Sequence, residues 1–332
     1  MSDIKVNNIR SLNGANGPEI SGTVEMNSTG AMSLPRGNTS YRGGRGRGVY
    51  GGTLGESNRI DYITISTLGD SLDFGDLTDG KRYPGAFASS TRAIFGGGIR
   101  DNNLIDYITI SSTGNAFDFG SMSQTRFSCG SVSNNIRGVF AGGYYPGGLG
   151  QLKIIDYVQI ATLGDAQDFG EQEVQGTHMG SVNNTIRGIF CGRYNTAPSN
   201  VIDYITFSTT GNAQDFGDST TLNSGKGEAC SETRGLFAGG YTPVQINNIE
   251  YITIASFGDA IDFGDLTVAR GRLTGVSNSI RGVFIGGKVP GGYSNTMDHV
   301  NIASKGNATD FGNDSNTTME SSGTSDSHGG LG

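Results

Sequence analysis

Residues 92–120 read RAIFGGGIRDNNLIDYITISSTGNAFDFG, and three signatures within this stretch return along the whole chain. The first is an Arg followed by Gly or Ala and two apolar residues, at Arg47, Arg92, Arg137, Arg187, Arg234 and Arg281. The second is an acid followed by a ring: Asp61-Tyr62, Asp106-Tyr107, Asp156-Tyr157, Asp203-Tyr204, Glu250-Tyr251 and Asp298-His299. The third is Asp-Phe-Gly, beginning at Asp73, Asp118, Asp168, Asp215, Asp262 and Asp310. Six copies at a period of 45 to 50 residues mark a repeat architecture.

The spacings separate framework from variation. The acid of the second signature precedes the Asp of the third by 12 residues in all six units, and that Asp precedes the next Arg by 19 in all five measurable cases. From the Arg to the second signature the separation is instead 14, 14, 19, 16, 16 and 17. All length variation therefore falls in one loop per unit, the pattern expected when insertions gather on a single face.

The segments between loops read as strands. In IDYITIST, Ile60 and Tyr62 alternate with Ile63 and Ile65, so the strand is apolar on both sides and must be covered on both. Stretches such as Val132-Ser133-Asn134-Asn135-Ile136 place a polar step between apolar runs, which suggests a hairpin turn. No window shows a sustained 3.6-residue apolar period. A unit of this size with about four short strands is a propeller blade, and stacking around an axis covers both faces of every sheet. The expected fold is all-β, a six-bladed β-propeller with little helix; a parallel β-helix is the main structural rival.

Both ends bear on closure. Leu34-Pro35-Arg36-Gly37 shares the register of Val268-Ala269-Arg270-Gly271, and residues 322–330 match another leading strand with no blade after it. The surplus strand can close the ring, with the contributing terminus left open. The expected division is a segment of residues 1–30 followed by a propeller over 31–332. Its repeats fall at about 31–75, 76–120, 121–170, 171–217, 218–264 and 265–312, with a closing strand in 313–332. In the leading segment Ile4, Val6 and Ile9 alternate with polar residues, which suggests a short docking strand or hairpin.

Composition limits the partners. With 31 acidic and 23 basic residues the net charge is −8, unfavourable for a broad phosphate-binding surface, so neither nucleic acid nor an anionic membrane is expected. Gly is high at 56 of 332 residues but Pro is only 7, which fits an ordered, turn-rich chain. No apolar run reaches a membrane-spanning length and no signal-peptide pattern opens the chain, so synthesis in a cytoplasm is expected. Cys129, Cys191 and Cys230 are odd in number and lack CxxC spacing, and the three histidines lie far apart, so neither disulfides nor a zinc site are expected.

The Gly pairs that close apolar strands, such as Gly51-Gly52, Gly142-Gly143, Gly239-Gly240 and Gly286-Gly287, resemble the double-glycine signature of kelch-type propellers. The chain departs from that pattern in having no Trp, and it places Phe74 and its equivalents where kelch repeats do not. Units of the form IDYITIxxxGNAxDFGD, joined to the opening IKVNNIRSLNGANGPEIS, resemble virion structural proteins of marine tailed phages, particularly those infecting cyanobacteria. The resemblance implies a kelch-like, noncatalytic tail or capsid-surface component, present in multiple copies and held to other virion proteins through residues 1–30.

The candidate chemistry divides in the same way. The triplet aspartates invite a metal reading, but their presence in every unit points to framework duty through local backbone bonds. The arginine row could ring an axial anion, or pair with those aspartates, and pairing is the expectation. Arg42-Gly43-Gly44-Arg45-Gly46-Arg47 looks like an RGG element, yet single copies running into a strand are not the long arrays that bind RNA. His178 and Glu171 stand alone, so no catalytic group and no cofactor is expected. The variable loops carry Tyr144, Tyr145, Tyr194, Tyr241 and Tyr293, with Lys153, Arg193 and Lys288 among them. Gathered on one face, these rings could stack on sugars of a host surface glycan or receptor. A polysaccharide-degrading propeller and an intracellular kelch-type adaptor are the alternative readings.

Overall fold

The computed structural model describes residues 46–99 and 103–331. They form six four-stranded antiparallel sheets arranged as a β-propeller, and the described residues contain no α-helix. In the third blade the strands run outward from the axis as Gly130–Ser133, Arg137–Ala141, Ile154–Gln159 and Gln167–Glu171. The innermost strands of blades two to six are Gly85–Ala88, Gly130–Ser133, Gly180–Asn183, Gly227–Cys230 and Thr274–Ser277.

The two-sided apolar strands are buried between neighbouring blades, as their pattern requires. Six apolar clusters form, one at each blade interface. Phe87, Ile94 and Phe119 of blade two meet Phe140, Val158 and Ile160 of blade three in one of them. Tyr50, Ile63 and Ile65 of blade one meet Val276, Val283 and Phe311 of blade six in another. Burial of this kind, at about 25 cal/mol per Å² of apolar area, is the main term holding the ring.

The constant spacings have a polar cause at the rim. The N–H of the residue after each Asp-Phe-Gly donates to an Asn or Asp side chain in the next blade's outer turn, at 2.8–3.1 Å in all six cases. The triplet Phe carbonyl accepts from the Gly N–H of the same turn, as in Gly164 to Phe119 at 2.9 Å. Gly120, with φ 145°, lies so near that a Cβ would come within 2.5 Å of the Gly164 carbonyl oxygen. One inserted residue here would break lacing that runs around the whole rim.

The arginine row clamps blades together and pairs with no acid among the described residues. Each guanidinium donates to a backbone carbonyl of the following blade, from Arg47 to Ile110 at 2.8 Å through Arg281 to Ile65 at 3.0 Å. Arg47, Arg92, Arg137, Arg187 and Arg234 also lie 4.4–5.2 Å from the Tyr ring of their own blade, and Arg281 lies 6.0 Å from Phe311. The expected pairing of this row with Asp73, Asp118, Asp168, Asp215, Asp262 and Asp310 is not made. Those aspartates are exposed on the outermost strands. Only Asp73 joins an ion pair among the described residues, at 4.0 Å from Arg59.

The acids of the second signature are buried instead, each at most 6% exposed. Lys81 serves Asp106 at 3.5 Å, Arg126 serves Asp156 at 3.0 Å and Arg270 serves Asp298 at 2.6 Å, each cation lying four residues before an innermost strand. Lys226 pairs with Glu250, and Arg193 reaches Asp203 at 2.6 Å from the variable loop. Sealing these acids costs solvation that only a close cation repays.

The C-terminus closes the ring. Ser322–Ser325 pairs antiparallel with Arg47–Gly51 and becomes the innermost strand of blade one. The N-terminal stretch from residue 31 that shares this register lies outside the described residues. Beyond the strand, residues 326–331 cap the axis on the face of the short turns. There His328 Nε2 donates to the Ala88 carbonyl at 2.9 Å, and Nδ1 accepts from the Gly330 N–H and from Asn183, both at 3.1 Å. Burial holds the His328 pKa down to about 4, against a smaller opposing effect of the Ala88 carbonyl.

The sign of the resulting pH dependence follows from linkage. The unfolded chain takes up the His328 proton near pH 6.5 and the folded one only near 4, so stability is lost as pH falls through that window, by about 3 kcal/mol. Melting curves between pH 7 and 4 should give a shallower slope for His328→Gln than for the unmodified protein. Equal slopes would remove His328 as the cause; His178, whose pKa is likewise lowered to about 4, acts in the same direction.

Candidate functional site: the loop face and axial mouth

All variable loops leave from the face opposite the C-terminal cap. In blades three, five and six the extra residues fold into two-stranded ribbons: Tyr144–Tyr145 with Gly150–Gln151, Tyr241–Thr242 with Val244–Gln245, and Lys288–Val289 with Gly292–Tyr293. In blade four the strands themselves lengthen to Arg187–Asn195 and Ala197–Thr206. Bridges from Tyr144, Tyr194, Tyr241 and Lys288 to Phe127, Thr177, Ser224 and Gly271 root the ribbons around the axis.

The loop tyrosines do not share one environment. Tyr194, Tyr241 and Tyr293 are 40–44% exposed. Tyr144 is half-buried, with its ring 5.3 Å from Phe127, and Tyr145 is also half-buried. Lys288 is exposed, whereas Lys153 Nζ donates to the Glu173 carbonyl at 2.9 Å. Arg193, expected among the loop cations, is wholly buried against Asp203 and is not available to a ligand.

Inside the ribbons lies a ring that is not evident in the sequence. Tyr83, Ser128, His178, Gly225, Arg272 and Glu320 hold equivalent positions just before the six innermost strands, all left-handed with φ of 55–68°. Each N–H donates to the carbonyl of the preceding member, from Ser128 to Tyr83 at 2.9 Å around to Tyr83 and Glu320 at 2.9 Å, closing a circle of six backbone bonds. Five non-glycine residues in this region of φ carry a conformational cost that the circle sustains.

The side chains of this ring differ from blade to blade. The Glu320 carboxylate accepts from Tyr83 Oη, Arg82 Nε and, at 2.6 Å, Arg272 Nη1. Burial opposes ionisation of Glu320, but these donors, Arg82 first, hold its pKa below the ordinary value. Burial and the bond to Glu320 push the Tyr83 phenol up, so it stays protonated. His178 packs edge-on to Tyr83, ring centres 5.0 Å apart, and burial together with the Arg272 charge lowers its pKa to about 4. His178 is thus not isolated, as its place in the sequence suggests.

The cavity at this mouth is about 60 Å³ and is lined by Tyr83, Ser128, His178, Lys226, Glu228 and Glu320 among others. It has room for a few waters or a small ion but not for a sugar ring. The three cysteines are buried and their thiols pushed up by burial, Cys191 to about 11, so none is poised as a nucleophile at neutral pH. Among the described residues no group of three His, Cys, Asp or Glu is placed to hold a metal. No family model and no curated protein matches the chain.

Proposed function

We propose that the protein is a noncatalytic recognition module of a phage virion, kelch-like in its repeats, that binds a host surface glycan or receptor through its ribbon face. The observation carrying this reading is the placement of the inequality between blades. Clamps, rim lacing and apolar clusters repeat around the ring, while ribbons of unequal length and the exposed rings of Tyr194, Tyr241 and Tyr293 stand on one face. Rigid aromatic surfaces beside polar loop groups suit the apolar faces and hydroxyls of sugars.

Chain direction supports display. Strand Arg47–Gly51 begins on the face opposite the ribbons, so a tether at that end leaves the ribbons outward. The attachment role read for residues 1–30 lies outside the described residues. Display in many copies would multiply weak contacts through avidity.

Binding of the purified full-length protein to host cells tests the reading. Replacing Tyr194, Tyr241 and Tyr293 together by Ala should weaken binding about tenfold or more, at roughly 0.5–1.5 kcal/mol per stacked ring, with the melting temperature nearly unchanged. Unchanged binding would overturn the assignment of the ribbon face. Release of oligosaccharides from host polysaccharide would replace adhesion with an enzymatic role.

A further inference from the structure

The second residues of the six innermost strands are Ala86, Ser131, Ser181, Glu228, Gly275 and Gly323, and all six line the axial space. Only Glu228 in this tier is charged. The Ser131 and Ser181 hydroxyls each accept a backbone N–H, from Ala86 at 2.9 Å and from Ser131 at 3.1 Å, and each keeps a lone pair. On the other side Gly275 and Gly323 present no side chain.

The Glu228 carboxylate receives no hydrogen bond and no cation from the described residues. The two cations lining the same space are committed elsewhere, Lys226 to Glu250 and Ser219, and Arg272 to Glu320. Several other polar atoms there are also unpaired. Ser128 Oγ, Ser321 Oγ and His178 Nε2 are buried without partners. The Thr177 hydroxyl donates to the Tyr194 carbonyl and so accepts from His178 Nδ1–H at 2.8 Å, which leaves Nε2 as a lone pair. A half-buried carboxylate with no donor from the protein, beside buried and unpaired acceptor atoms, favours a positive occupant.

The geometry points to a monovalent-cation site on the propeller axis, held by the Glu228 carboxylate with the serine hydroxyls around it. The charge to be balanced is one, so an alkali or ammonium ion neutralises it, whereas a divalent ion would leave an excess. Cavities of about 40 and 60 Å³ adjoin this tier, enough for such an ion with a few waters. The competing occupant is a proton, since burial pushes the Glu228 carboxyl well above its ordinary value.

Thermal unfolding of the full-length protein separates the two. It is to be run above neutral pH at equal ionic strength in sodium, potassium or tetramethylammonium chloride, the last ion being too large for the space. A bound cation raises the folded-to-unfolded ratio about 100-fold when present at about 100 times its dissociation constant, so sodium or potassium should raise the melting temperature over tetramethylammonium. Glu228→Gln, a neutral isostere, should abolish that difference while still melting cooperatively in tetramethylammonium. Ser181→Ala should reduce it and leave the charge in place. Identical melting of the unmodified protein in all three salts, or a sodium effect that survives Glu228→Gln, would overturn the site. A rubidium anomalous peak beside Glu228 would confirm it directly.

Discussion

A chain ending at Ser321 is expected to lose cooperative folding. Removal of residues 322–332 strips blade one of its innermost strand and unpairs Gly48, Val49, Tyr50 and Gly51 from their partners. It also removes the Ser325 hydroxyl bond to the Ser277 carbonyl at 2.5 Å and the Ser322 bond to the Pro84 carbonyl at 2.6 Å, which tie the strand to its neighbours on either side. At about 1 kcal/mol for each hydrogen bond, with the apolar contacts of the first and sixth blades loosened as well, the loss rivals the 5–15 kcal/mol that typically holds a domain. Calorimetry should show a broad, early transition for the truncated chain, and a peptide covering 322–331 supplied separately should restore a sharp one. A truncated chain melting like the full one would show that the strand is dispensable.

The second large effect concerns the buried pair of blade four. Where blades two, three and six carry Lys81, Arg126 and Arg270 ahead of the innermost strand, blade four has Gly176. The stem of Arg193 passes through the space beside it, so that a Cβ on Gly176 would come within 2.8–2.9 Å of the Arg193 methylenes. Arg193→Ala leaves Asp203 sealed without a cation and should cost about 3–5 kcal/mol. Gly176→Arg alone crowds two guanidinium groups onto one acid and should also destabilise. Together the two changes rebuild the arrangement of blade three and should recover most of the loss, a strongly non-additive cycle in urea denaturation. Additive costs would mean that the two positions do not share one site.

Much of this fold is legible in the residues. The invariant 12- and 19-residue spacings predict rigid links, and the rim bonds from one blade's Asp-Phe-Gly to the next blade's Gly-Asn or Gly-Asp turn are their cause. The partners of charge are less legible. The arginine row invites pairing with Asp118 and its equivalents because both recur, but the groups it binds are backbone carbonyls, which no side-chain pattern records. Arg193 reads as a loop cation because the glycine it compensates lies 17 residues earlier.

The axial ring was hidden for a related reason. His178, Arg272 and Glu320 look unrelated along the chain, and converge only because equivalent positions of every repeat point to one axis. The one signal present is register: each lies just before a leading strand, at a site where Tyr, Ser, His, Gly, Arg and Glu follow one another. A framework position does not vary so freely, and a column of that kind in a cyclic repeat can be read as a rim around a hole.

Closure by the C-terminal strand also sets an order of events during synthesis. Strand Arg47–Gly51 is made first among the described strands, yet its partner Ser322–Ser325 leaves the ribosome last. At about 5–20 residues per second the interval is roughly 15–55 s, during which an apolar strand edge has no mate. The nascent chain must keep that edge from other chains until its own tail arrives, and the earliest blade is the last to be completed.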